Sequence, residues 1–129
     1  MSNLLLDIVT YLTTEGLVTG DGVDAFRDFT PEEPNAVVSV HEYKGSPPPL
    51  FETISTRMVQ VAVRDVSSTA ARNKALDLYN ALHSPDTYLD LTASRWALIQ
   101  PMNTPTKIRV DKQSRVFYGF NLSITTQHD

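Results

Sequence analysis

The sequence predicts an α+β fold, a mostly antiparallel sheet with two helices packed on one face. Three observations predict it. Two segments place apolar residues at helical spacing, one at the start of the chain and one in the middle. The last apolar segment alternates strictly with a period of two, and the segments before it are short and rich in β-formers. The links between them are short, and short direct links join antiparallel strands. The length of 129 residues suits one domain over 1–129.

The first helix covers residues 3–15. Leu5, Ile8, Val9 and Leu12 share a face, Ser2 or Asn3 can cap it, and Gly16 can end it. A glycine-rich link, Gly16 to Gly22, leads to a charged arm over 23–34. Pro31 and Pro34 forbid a long regular element there, so the arm is a short strand or irregular, with Phe26 and Phe29 as anchors. Residues 36–43 (Ala-Val-Val-Ser-Val-His-Glu-Tyr) form a strand that stops at Gly45. Ser46-Pro47-Pro48-Pro49 makes a stiff, polyproline-like loop.

A second strand runs over 55–66. Arg57, Val59, Val61 and Val63 point one way and Met58, Gln60, Ala62 and Arg64 the other, so both faces read as partly covered. The second helix covers 67–83, capped by Ser67 or Ser68 and closed by Pro85, with Ala71, Ala75, Leu78 and Leu82 as its apolar stripe and Tyr79 beside it. Residues 88–91 and 95–100 form two shorter strands about a turn at 92–94. Residues 101–107 read as a loop and 111–114 as a polar turn. In the last strand Val116, Tyr118, Phe120, Leu122 and Ile124 alternate strictly with Arg115, Phe117, Gly119, Asn121, Ser123 and Thr125. The order is helix, arm, strand, loop, strand, helix, then three strands.

Composition excludes several function classes. There are 0 cysteines, so disulfides, thiolate metal sites and cysteine nucleophiles are ruled out. The net charge of -4 and pI of about 5.2 give no general attraction to nucleic acid or anionic membrane. No stretch approaches the roughly 20 apolar residues of a membrane span. The first seven residues lack a basic region and reach Asp7 early, unlike a secretory leader. The expectation is a chain made and folded in a cytoplasm.

Motifs for chemistry are equally sparse. His41, His83 and His128 have no second histidine at a ligand spacing, and His83 suits a helix C-terminus. Asp21, Asp24 and Asp28 lack the D-x-D-x-D-G order of a calcium loop and read as a solvated face. Neither G-x-S-x-G, a P-loop nor G-x-G-x-x-G occurs. No catalytic residue, metal ligand or cofactor site is nominated, and the chain reads as no enzyme. Lys107, Arg109, Lys112 and Arg115 cluster beside Phe117 and Tyr118. Such a turn could bind nucleic acid. The acidic total favours a protein-facing role.

The features that remain point to contact between chains. Phe26 and Phe29 lie in a charged arm, Pro47, Pro48, Pro49 and Phe51 in a strand crossover, and Phe117 opposite the core stripe. Apolar groups on arms and edges need a covering surface, either their own domain or a partner. Arg64 and Asp65 end a valine-rich strand. They read either as a local ion pair and cap, or as a charge held at a subunit boundary.

An ordered series of short motifs spans nearly the whole chain. It runs Gly16-Leu17-Val18, Ala25-Phe26, Pro31, Pro34-Asn35-Ala36-Val37-Val38 and Tyr43-Lys44-Gly45-Ser46-Pro47-Pro48. It continues through Val59-Gln60-Val61-Ala62-Val63-Arg64-Asp65, then Ala71, Ala75, Leu78-Tyr79 and Leu82, and ends on Pro101, Asp111 and Tyr118-Gly119-Phe120-Asn121-Leu122. The series resembles minor capsid proteins of tailed phages, of the tail-terminator type. The resemblance implies a virion structural protein that forms a ring, commonly hexameric, on the head-proximal end of the tail tube. It implies a homo-oligomer, the major tail tube protein and the head connector as partners, with assembly in the host cytoplasm. Among relatives the role shifts to head completion or the neck, and the basic turn maps to no family role.

Overall fold

The structure, a computed structural model, describes residues 3–45, 54–83 and 88–127. Helix α1 (Leu4–Thr14) starts where Asn3 Oδ1 accepts the backbone N–H groups of Leu5 (2.9 Å) and Leu6 (3.2 Å). It stops at Gly16, whose φ of 76° is open to glycine. There Leu17 N–H donates to Leu12 O (2.9 Å) and Gly16 N–H to Thr13 O (3.0 Å), a Schellman ending. Helix α2 (Ser68–Ala81) is capped by Ser67, whose Oγ accepts Ala70 N–H at 3.1 Å. Its stripe of Ala71, Ala75, Leu78 and Leu82 is fully buried.

The strands are β1 (Ala25–Arg27), β2 (Val37–Gly45), β3 (Ile54–Asp65), β4 (Leu89–Thr92), β5 (Arg95–Pro101), β6 (Thr106–Val110) and β7 (Val116–Gln127). They form one 7-stranded curled sheet in the order β1-β2-β3-β7-β5-β4, with β6 also paired to β7. All pairings are antiparallel except β1 with β2. That exception has a simple cause: residues 28–36 travel back over the sheet before β2 starts, so the two strands run the same way.

Alternation decides the faces. Val59, Val61 and Val63 of β3 and Phe120, Leu122 and Ile124 of β7 point at both helices and share one core with Leu4, Ile8 and Leu12 of α1. Each such buried side chain contributes about 1.5–3 kcal/mol. α2 lies over β3 and β7, while α1 reaches edge strands β1 and β4, so the sheet curls around it. An ion pair anchors α1 inside: Arg95 Nε meets Asp7 Oδ2 at 2.5 Å, and Arg95 also donates to Thr126 Oγ1 at 3.1 Å.

Strand β6 departs from the expected loop over 101–107, which it enters at Thr106, whereas the polar turn expected over 111–114 is present, with Ser114 N–H donating to Asp111 O at 3.1 Å. The five residues of β6 are all exposed, so no buried alternation marks it, and a bulge between Lys107 and Arg109 breaks the remaining pattern. Strands β5 and β6 lie end to end along one side of β7, joined where Met102 N–H donates to Asn121 O (2.8 Å). Ile108 reaches over Gly119, where an added Cβ would sit 2.7 Å from Ile108 Cδ1 and 2.7 Å from Val61 O. Only glycine leaves that space open.

Candidate assembly surface

The back of the sheet, away from the helices, holds Phe26, Phe29, Arg64 and Phe117, four of the five sequence-nominated residues that the structure describes. Phe26 pairs in register with Ser39, and Phe29 meets it edge-on with ring centroids 5.4 Å apart. Phe26 is buried, whereas Phe29 is 56% exposed. From there the arm crosses the back of β2, where Thr30 Oγ1 donates to Ser39 Oγ (3.2 Å).

Two buried arginines then fasten it. Arg64, 3% exposed, donates through Nε to Asn35 O (3.1 Å) and through one terminal nitrogen to Pro34 O (2.6 Å) and Glu32 O (3.4 Å). Arg115 donates to Glu32 O at 2.6 Å and to Asp111 Oδ2 at 2.8 Å. The arm is a strap held by guanidinium groups on its own carbonyls. Burial, then the neighbouring Arg115 charge, lowers the Arg64 pKa. Burial alone would raise the Asp111 pKa, but hydrogen bonds from the backbone and side chain of Arg115 and the N–H of Gln113 outweigh it and hold the carboxyl below its ordinary value.

Phe117 takes part in this fastening. It lies on the back face as alternation requires and is buried. The Arg109 guanidinium sits 4.0 Å from its ring centroid and that of Arg64 5.9 Å. Strap, turn and strand ends enclose a depression of about 510 Å³. The four-cation turn expected from the sequence is therefore three exposed cations, Lys107, Arg109 and Lys112, because Arg115 is buried and paired with Asp111.

The other nominated residues have local partners. Asp65 Oδ1 accepts Ser67 N–H (3.0 Å) just before the α2 cap. Asp21 binds Arg27 with two hydrogen bonds of 3.0 Å, and Asp24 accepts Thr19 N–H (2.9 Å) and Gly20 N–H (3.2 Å). His41 lies within β2, and His83 follows α2 with its ring 5.9 Å from Tyr79. Pro47, Pro48, Pro49, Phe51 and His128 lie outside the described residues. Sequence reading missed the Asp7–Arg95 pair and the carbonyls that hold Arg64. Spacing alone could have signalled Asp111 and Arg115, four apart across a turn in which Ser114 has a φ of 61°.

Residues 11–128 match the family described as bacteriophage tail terminator protein. The chain belongs to that family. It is a structural family of the phage tail and not an enzyme family. This terminator-family chain is thus a tail component of the virion that works with other proteins of the particle. Its fold is shared with a chain of the structure titled "Virion of native gene transfer agent (GTA) particle", at a TM-score of 0.61, 14% identity and 95% coverage of each chain. No curated protein matches the sequence. Among the described residues, no helix is long and apolar enough to cross a membrane.

Proposed function

We propose that the chain closes into a ring, hexameric in the assembled tail, that caps the head-proximal end of the tail tube. The ring ends tube polymerisation and presents its other side to the head connector. The family match over residues 11–128 carries this reading. The shape of the chain suits it. A terminator must hold one rigid surface toward the tube and offer no further growing edge. Here the arm is strapped down by Arg64 and Arg115, while Phe29, Val23 and β6 remain exposed at the margins of the sheet. A ring of identical chains needs a heterologous contact that closes by rotation.

Phe29, the residues around Arg64 and Phe117, and the Pro47–Pro49 segment with Phe51 are the proposed meeting points. Native mass spectrometry at micromolar concentration and electron microscopy with tail tubes test the proposal. Rings at tube ends and tubes of defined length are expected. Tubes of normal length that fail to join heads in the protein's absence would favour a neck role.

A further inference from the structure

The two margins of the sheet carry opposite charge. Strand β1 lies at one end of the path β1-β2-β3-β7 and β6 beyond the other. Four strand spacings separate them, about 19 Å. At the β1 margin stand Asp21, Asp24 and Asp28, with Arg27 paired to Asp21 and Lys74 lining the same pocket as Asp24; Val23 is 56% exposed and Phe29 stands beside them. The carboxylates of Asp21 and Asp24 are fixed by the hydrogen bonds above, and fixed charges lose less entropy on docking. At the β6 margin stand Lys107, Arg109 and Lys112, all exposed, around the exposed apolar side chains of Ile108 and Val110. Two acids lie at this turn: Asp111 is paired with Arg115, and Glu32 of the strap reaches Arg115 at 3.6 Å and accepts from Gln113 at 3.3 Å, which leaves the three exposed cations in excess.

We infer that the β1 margin of one copy docks against the β6 margin of the next, apolar centre to apolar centre within a frame of opposite charges. This rests on the ring proposed above and names the two faces that close it. The contact is heterologous, because the two patches differ and lie at opposite ends of one sheet, which is what a head-to-tail ring requires. Charge complementarity of this kind sets register and rejects wrong pairings. The bulge at β6 and its charged Lys107 and Arg109 also discourage open-ended strand pairing, so the contact is made by side chains and not by extending the sheet. A nucleic-acid phosphate could satisfy the same three cations, but it would leave Ile108, Val110, Val23 and Phe29 uncovered.

The experiment uses two full-length variants. Lys107→Glu with Lys112→Glu makes the β6 margin acidic. Val23→Lys with Asp28→Lys turns the β1 margin from net negative to net positive and leaves the Asp21–Arg27 pair and the Asp24 loop untouched. Circular dichroism melts establish that both fold. Sedimentation velocity and native mass spectrometry at micromolar concentration read assembly. Wild type is expected to form rings that dissociate at roughly 1 M salt, where the Debye length falls to about 3 Å. Each variant alone should associate at least roughly tenfold more weakly. An equimolar mixture should restore rings with the two variants alternating, since each margin again meets its opposite.

Wild-type rings with variants that assemble unchanged would overturn this interface and leave the ring standing. Variants that fail both alone and mixed would also overturn it. Loss of DNA binding in the Lys107 and Lys112 variant with assembly intact would transfer the basic margin to nucleic acid. A wild-type chain that stays monomeric would count against the ring itself.

Discussion

Replacing Arg64 by methionine removes the clasp and keeps most of the side-chain volume. Arg64 makes three donations, to the carbonyls of Asn35, Pro34 and Glu32. Hydrogen bonds to a charged group contribute about 1.5–3 kcal/mol each. The full sum does not apply. Glu32 O retains Arg115 at 2.6 Å, and the 3.4 Å contact to it is the weakest of the three. Pro34 and Asn35 are exposed, so water replaces part of what they lose. Removing one of two adjacent guanidinium charges gives a little back. The net cost is about 2–3 kcal/mol, or roughly a 10 °C fall in Tm for a chain of this size. Calorimetry gives the global loss, and hydrogen exchange gives its location. Amides of residues 29–36 should lose protection first, while those of β3 and β7 keep theirs. A loss under about 0.5 kcal/mol, or arm protection equal to wild type, would refute the strap.

Three further predictions concern the frame that carries this surface. Asp7→Asn takes away the buried carboxylate that Arg95 Nε meets at 2.5 Å and should cost about 1.5–3 kcal/mol by chemical denaturation; Asp7→Leu combined with Arg95→Met should recover part of it. Gly119→Ala places a methyl group 2.7 Å from Val61 O and Ile108 Cδ1 and should cost about 1–3 kcal/mol. Adding Ile108→Ala should restore only part of that, since the Val61 carbonyl is backbone. The folded-state pKa of Asp111 is depressed below its ordinary value of 3.8, so its contribution is present above that value and disappears as pH falls through the lower, folded one. In acid titrations followed by circular dichroism, Asp111→Asn should flatten the stability slope below about pH 4 and lower stability at neutral pH; an unchanged slope would contradict this.

The parts of the fold that were legible in the sequence are those where periodicity and burial coincide. Val59, Val61 and Val63 alternate because one face of β3 meets helices, and the Ala71, Ala75, Leu78 and Leu82 stripe repeats because one face of α2 meets the sheet. Strand β6 was not legible because all five of its residues are exposed, so no burial imposes an alternation, and its position comes from pairing with β7. The assembly surface was legible in its members and obscure in its arrangement. Phe117, Arg64 and the basic turn were each identifiable, but their meeting under the arm depends on backbone carbonyls of Glu32, Pro34 and Asn35. Carbonyls are present at every residue and leave no mark in a sequence. Arg115 read as a surface cation for the same reason, since its burial is imposed by the strap.

The central claim is a closed ring that stops a tail tube. Polymerising tail tube protein with and without this chain, and measuring tube lengths and end views by electron microscopy, tests it most directly. The account predicts ring densities at one end of each tube and an end to growth in the presence of the chain. A chain that stays monomeric in the same mixture, with tubes growing to the same lengths as without it, would contradict the account.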